Sequence, residues 1–151
     1  MPQLLIHRGL AKKKFLENNW IVIISSSNLE KLNNAKKRMA ETTKVENLHV
    51  IKCDISNKSE VEKIVLSIEN EIGKIDIAIL NAAAYSPNKN QDFDLDNYEL
   101  LIDVNLKGTF LCMKEFFKHL IKSKNIGSVV NIASHYGIVS PDPRIYTDCE
   151  R

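Results

Sequence analysis

The chain has 151 residues, about the length of one domain, with an ordinary globular composition of 44% hydrophobic and 26% charged residues. A net charge of +2 excludes the basic excess of a nucleic-acid or membrane-surface protein, and no apolar run approaches the roughly 18 residues that span a bilayer. Three cysteines without a CxxC pair and four scattered histidines predict no disulfide framework, no metal site and a reducing, cytoplasmic location.

Along the chain, short apolar runs bounded by polar loops alternate with segments of helical spacing. The apolar runs predict four strands, at residues 20–24, 48–53, 77–80 and 128–132. The helical patterns cover residues 8–18, 29–39, 56–72 and about 97–121. Asn28 and Ser56 are the predicted N-caps of the second and third helices, and Gly73 is the predicted C-terminal glycine of the third.

The run KIDIAILNAAA, residues 74–84, predicts a buried strand that stops at Asn81. A strand that is apolar on both faces belongs in a parallel sheet covered by helices. Ligands of such sheets bind beyond the carboxyl ends of the strands, where small residues such as Ala82 and Ala83 permit close approach. The alternative is a core strand that simply enters a loop.

The alternation of helices and strands predicts an open α/β fold with right-handed crossovers. The pattern begins on a helix, with no strand or glycine-rich turn before it, and continues only shortly after the last strand. We therefore expect one partial domain over residues 1–151, an incomplete sheet that lacks its first strand and its C-terminal part.

Three motifs, LNAAA at residues 80–84, DVNLKGTFL at 103–111 and VVNIAS at 129–134, occur in order. Over residues 6–140 the chain thereby resembles the short-chain dehydrogenase/reductase family, from which it departs at Leu80 and Ala83, where the family has asparagine and glycine. The resemblance implies a Rossmann-like doubly wound parallel sheet. It also implies an NAD(P)-dependent oxidoreductase that transfers hydride between nicotinamide and a small-molecule alcohol or carbonyl substrate.

The resemblance implies that one group of residues binds the cofactor's adenosine: Asp54 beside Ile55 at the adenine, Asn81, Ala82 and Ala83 along the ribose, and Val104 at the floor. Alternatively, Asp54 is a helix cap or turn residue and the others belong to the core.

Cofactor choice is expected just after the 20–24 strand, where Ser25 and Ser27 flank Ser26. A carboxylate there would hold the ribose hydroxyls of NAD, and an arginine the 2′-phosphate of NADP. Serines can form hydrogen bonds to the ribose hydroxyls or to the 2′-phosphate, so the sequence allows either NADP or NAD as the cofactor. The absence of a carboxylate that would repel the phosphate favours NADP.

For catalysis the resemblance implies Ser134, as a hydrogen-bond donor to the substrate oxygen, and Asn105, as the holder of a water in a proton relay. Asn105 falls on an apolar helix face, and a buried asparagine requires hydrogen-bond partners, so a structural hydrogen bond is the competing interpretation. A turn serine is the competing interpretation of Ser134.

The family's catalytic tyrosine and the lysine four residues later have no match. Tyr146 is followed at that spacing by Glu150, which would oppose a phenolate, and His7 stands where a glycine of the phosphate-binding turn belongs. We therefore expect weak or lost dinucleotide binding, and a non-catalytic truncated remnant or interaction module is the alternative function. The resemblance also implies a homo-oligomer through the helix at residues 97–121.

Overall fold

The computed structural model describes residues 3–6, 11–85, 95–140, 142 and 144 of the chain. These residues form a five-stranded sheet of order β3-β2-β1-β4-β5 in which every neighbouring pair is parallel. The strands are β1 Gln3–Ile6, β2 Ile21–Ser26, β3 Leu48–Lys52, β4 Ile77–Leu80 and β5 Ser128–Asn131. The doubly wound parallel sheet is therefore confirmed, and the carboxyl ends of all described strands lie along one edge.

The expectation that the first strand is missing is wrong, and so is the count of four strands. Gln3–Ile6 forms β1 at the centre of the sheet, paired with β2 on one side and β4 on the other. Its four residues lie next to the start of a helical pattern, so periodicity alone does not separate the strand from the helix.

Five α-helices follow the first four strands, and two of them lie between β4 and β5. They are α1 Ala11–Glu17, α2 Leu29–Ala40, α3 Lys58–Glu71, α4 Leu95–Leu101 and α5 Thr109–Ser123. Asn28 caps α2 as predicted, with its Oδ1 accepting from the Lys31 amide at 2.9 Å. Asn57, not Ser56, is the N-cap of α3. Gly73 directly follows the C-cap of that helix, as predicted, and has a positive φ of 131°.

The predicted long helix over residues 97–121 is helical but not uniform. A π-helical segment, Ile102–Gly108, separates α4 from α5. π-helical turns are rare and occur frequently at functional sites. A pattern of apolar residues three and four apart does not reveal this widening of the helix.

The sheet buries an apolar core on each face because the strand side chains alternate between them. One core joins Ile23 and Ala78 to α3 and α5 through residues such as Ile68 and Phe116. The other joins Val22 and Ile24 to α1 and α2 through a smaller set, Leu16 and Leu32. No helix among the described residues is long and apolar enough to cross a membrane.

We predict that Gly127→Ala destabilises the fold by about 1–3 kcal/mol, the usual cost of overpacking. A Cβ at Gly127 would lie 2.7 Å from the Asp76 carbonyl oxygen, which accepts the amide of Ser128 at the start of β5. Urea unfolding measures the change in free energy.

Gly137→Ala is the matched control because an added Cβ there meets nothing within 4 Å. We expect its free energy of unfolding to be unchanged, or raised by up to about 1 kcal/mol because alanine lowers the conformational entropy of the unfolded chain. Equal losses in both variants would contradict the packing argument.

Candidate functional site

A cavity of about 220 Å³ lies at the carboxyl edge of the sheet, and we call it the edge cavity. Three strand ends meet there, because parallel strands bring their ends to the same edge. The lining comprises residues from the end of β2 to the first turn of α2, residues that follow β3 and β4, and two residues of the α4 and π-helical region: Ser26, Ser27, Asn28, Lys31, Cys53, Asp54, Ile55, Ala82, Ala83, Ala84, Leu100 and Val104.

Asp54 forms the polar corner of the edge cavity. Its Oδ1 accepts from the Ser56 amide at 2.9 Å and from the Ser56 hydroxyl at 2.7 Å, while its own amide donates to Glu60 Oε2 at 2.8 Å. These contacts make Asp54 the first residue of a turn, as its competing interpretation predicts. No described residue bonds its Oδ2, so this oxygen is available to accept a hydrogen bond from a ligand.

The remaining floor of the edge cavity is small and apolar. Ala82, Ala83 and Ala84 carry only a methyl group, and Ile55 is 6% exposed beneath them. Cys53 also lines the floor, and burial raises the pKa of its thiol to about 12. The thiol is therefore protonated at neutral pH, and the floor presents an uncharged surface to a ligand.

Asn105 fixes the chain segment that follows β4. Its Oδ1 accepts from the Ala84 amide at 2.8 Å, and its Nδ2 donates to the Ala84 carbonyl at 3.0 Å. The side chain is exposed, so the expectation of a buried asparagine is wrong. These two bonds are the structural hydrogen bonds that the competing interpretation of Asn105 predicts. They leave one N–H and one oxygen lone pair of its side chain for other partners.

The π-helical segment packs directly on the cavity floor. A Cβ at Gly108 would lie 2.8 Å from two carbons of the Ile55 side chain, so glycine permits this close approach. Val104, from the same segment, lines the edge cavity. The segment that carries Asn105 thus also shapes the apolar surface of the site.

A second cavity of about 550 Å³, which we call the basic crevice, lies between α1 and α2 beside β2. Four of its lining residues are cationic and none is acidic: Lys12, Lys31, Lys37 and Arg38. Ser26 and Lys31 line both cavities. The sequence placed Ser26 only as the residue between the predicted cofactor residues Ser25 and Ser27. Lys31 was missed, although it stands only one helical turn after the Asn28 cap.

The edge cavity brings together six predicted cofactor residues, Ser27, Asp54, Ile55, Ala82, Ala83 and Val104. Ser25 is 5% exposed and lines the basic crevice instead. Asn81 is half-buried and lines neither cavity. Their assigned roles remain predictions.

Ser134 lies outside both cavities, at the exposed N-cap of a short 3₁₀ helix, His135–Gly137. Its Oγ accepts from the Tyr136 amide at 3.2 Å, as a turn serine does. The hydroxyl hydrogen is still available to a substrate oxygen. His7, Tyr146 and Glu150 fall outside the described residues.

A family model described as short chain dehydrogenase matches residues 8–145. The chain belongs to the short-chain dehydrogenase family. Among its relatives, an uncharacterized oxidoreductase of Staphylococcus aureus strain MW2 and one of Staphylococcus haemolyticus are each 28% identical over 127 residues, or 83% of this chain. The chain spans about half the length of these relatives, 53% of each.

Solved structures share the fold of this chain. The structure of ElxO with NADP bound is 26% identical, with a TM-score of 0.79 over 95% of this chain and 60% of ElxO. A short-chain dehydrogenase/reductase from Mycobacterium marinum, 23% identical, has a TM-score of 0.81 over 94% of this chain and 59% of its own. The Rossmann-like sheet is therefore that of the family, and the described strands correspond to part of it.

We predict that Asn105→Ala lowers the free energy of unfolding by about 1–2 kcal/mol, because two exposed hydrogen bonds to Ala84 are lost. Amide hydrogen exchange at Ala84 should accelerate at the same time. Asn105→Asp is the comparison variant, since it retains the oxygen that accepts from the Ala84 amide but replaces the donor with a carboxylate oxygen that faces the Ala84 carbonyl. Unchanged exchange at Ala84 in Asn105→Ala would show that the bond does not hold this segment.

Proposed function

We propose that the chain forms the nucleotide-binding part of an NAD(P)-dependent oxidoreductase that transfers hydride between nicotinamide and an alcohol or carbonyl substrate. The observation that carries the proposal is the edge cavity, which combines a carboxylate corner with an alanine floor at the carboxyl ends of parallel strands. The substrate class and the hydride transfer are inferred from the family to which the chain belongs.

The size and chemistry of the edge cavity fit an adenosine group. Its volume of about 220 Å³ exceeds the roughly 150 Å³ cavity that accepts benzene, so it has room for a flat purine. Asp54 Oδ2 would accept from the exocyclic amine, and Ile55, Ala82 and Val104 would pack against the ring. The bound nicotinamide would supply or accept the hydride.

In this proposal Asn105 and Ser134 keep the roles that the family implies. The remaining N–H and lone pair of Asn105 would hold a water of the proton relay, while its bonds to Ala84 position the alanine floor. The Ser134 hydroxyl would donate to the substrate oxygen as charge develops there. ElxO, whose structure has NADP bound, supports a nicotinamide cofactor for this chain.

A non-catalytic remnant or interaction module is the second candidate. The observation that favours it is Glu150, which stands where the partner lysine of a catalytic Tyr146 belongs and disfavours ionisation of the phenol. An assay of NADPH oxidation with small carbonyl substrates separates the two candidates. Turnover that falls a hundredfold or more in Tyr146→Phe, about the contribution of a general acid, would identify Tyr146 as the proton donor.

The proposed partner is a second copy of the chain, held through an apolar row along α4, the π-helical segment and α5. The row consists of large apolar residues that are spaced three, four or seven positions apart in the sequence. They are exposed: the exposed fraction is 65% for Leu106, 59% for Phe110 and 79% for Ile121. Isolated exposed apolar residues are ordinary, whereas a contiguous patch marks an interaction surface.

We expect sedimentation equilibrium to give a dimer that Phe110→Asp converts to a monomer, because a carboxylate in an apolar interface would be desolvated without a partner. Leu66→Asp, which changes a leucine that is 51% exposed on α3, is the matched control and should remain dimeric. A monomeric wild-type chain would contradict this interface.

We predict that NADPH binds with a dissociation constant above about 1 µM, which corresponds to a binding free energy less favourable than about −8 kcal/mol. The reason is that residues 7–10, HRGL, contain one glycine where the phosphate-binding turn of the family is glycine-rich. Calorimetry measures the affinity. Submicromolar binding would contradict this argument, whereas no saturable binding would contradict the proposed function.

Ala83→Leu should weaken NADPH binding about tenfold or more, because the larger side chain occupies the edge cavity. Ala40→Leu, an exposed change outside both cavities, is the control and should bind as the wild type does. Equal affinities in the two variants would place the nucleotide elsewhere.

A further inference from the structure

We propose that the outer edge of β5, the side that faces away from β4, is a docking site for an uncharged β-strand of another polypeptide. The strand would extend the sheet through main-chain hydrogen bonds, as in other cases of peptide recognition at an exposed sheet edge. This docking site does not depend on nucleotide binding. It gives the second candidate function, an interaction module, a defined surface.

Main-chain groups on the outer edge of β5 are unpaired. In the described sheet β5 stands last in the strand order and pairs with β4 on its inner side. The amides of Ser128 and Ile132 donate to carbonyl oxygens on that inner side. Successive residues of a strand direct their N–H and C=O groups to alternate sides, so those of Val129 and Asn131 point outwards. No described residue bonds these outward groups, which are therefore available to a further strand.

The side chains around the outer edge of β5 are uncharged and exposed. Val130 lies opposite Ile79, on the face of the sheet that carries α1 and α2, where it is 42% exposed. Ile132, on the same face, is 54% exposed. A neighbouring strand would cover both with apolar side chains, whereas on the other face it would meet the exposed carboxamide of Asn131. The fitting partner therefore alternates apolar residues with uncharged polar ones.

The opposite edge of the sheet, on β3, is protected. The carbonyl of Leu48 accepts from Lys36 Nζ at 2.9 Å, so a side chain already occupies part of that edge. β3 also ends on Lys52, whose main-chain groups point outwards because the Cys53 amide donates inwards to Ser26. Lysines on an edge strand hinder its pairing with further strands. β5 contains no lysine, so its outer edge remains competent for pairing.

A strand of a different polypeptide fits this edge better than a second copy of the chain. The proposed homodimer is held through the apolar helix row, and a closed two-fold dimer uses one isologous interface. A second isologous interface at β5 would carry the assembly beyond a dimer. The partner strand is uncharged because a charged side chain beside Val130 and Ile132 would lose water without gaining a partner.

The test is nuclear magnetic resonance of the isotopically labelled chain, titrated with a blocked hexapeptide of alternating threonine and valine. We expect saturable shifts at Val129 and Asn131, together with exchange of their amides slowed about tenfold or more, because both amides would gain a carbonyl acceptor. The same peptide with lysine in place of valine should bind about tenfold more weakly or not at all.

Asn131→Pro removes one outward N–H and keeps the pairing with β4, since proline is accepted on an edge strand where its nitrogen faces solvent. Peptide binding should weaken about tenfold. Lys52→Pro, the same change at an outward position of β3, is the matched control and should bind as the wild type does. Val130→Lys places a charge on the apolar flank and should also weaken binding, which provides a second variant if Asn131→Pro does not fold.

Three results would overturn the docking site: no saturable binding to the wild type, protection at β3 in place of β5, or unchanged binding in the folded Asn131→Pro and Val130→Lys variants. Equal binding of the lysine peptide would overturn the preference for an uncharged strand. Sedimentation equilibrium tests the alternative occupant. Self-association that Asn131→Pro abolishes and Phe110→Asp does not would identify a second copy at β5 and would likewise overturn the proposal.

Discussion

The pairing of β1 with both β2 and β4 is the constraint on which the rest of this structure depends. Leu5 lies opposite Ile23 on one side and Ala78 on the other, so β1 joins the two halves of the parallel sheet. Both apolar cores contain residues from strands on either side of β1, such as Val22 and Ile77 on one face. Without β1 the backbone groups of β2 and β4 that face it would lack partners, and the strand ends that form the edge cavity would not be held together.

The site depends on contacts that link distant parts of the chain. Asn105 joins the π-helical segment to Ala84 after β4, and Gly108 lets the same segment rest on Ile55 after β3. The edge cavity is therefore built where β2, β3 and β4 end, by the segments that follow these strands and by the helical region that contains the π-helical segment. The basic crevice continues it on the side of α2, so that an apolar surface adjoins a cationic surface.

Patterns within short windows were sufficient to predict β2 to β5 and the helices between them, whereas the six predicted residues that line the edge cavity came from the resemblance to the short-chain dehydrogenase/reductase family. β4 shows why: Ile77–Leu80 is apolar throughout, as a strand buried on both faces requires. β1 was missed because its four residues adjoin a helical pattern. The environment of Asn105 was missed because its partner, Ala84, is 21 residues away in the sequence. Lys31 was missed because nothing in its local pattern separates it from an ordinary solvated helix residue.

The central claim is that the nucleotide binds at the carboxyl edge of the sheet. Nuclear magnetic resonance of the isotopically labelled chain, titrated with NADPH, tests it most directly because it locates the ligand residue by residue. We expect saturable shifts for the amides of Asp54, Ile55 and Ala83. The amides of Ile75 and His119 should not shift, because both residues are buried outside the edge cavity, where the Ile75 amide donates to Nε2 of the His119 ring. Saturable shifts confined to Ile75 and His119, or no saturable shift at all, would contradict the account.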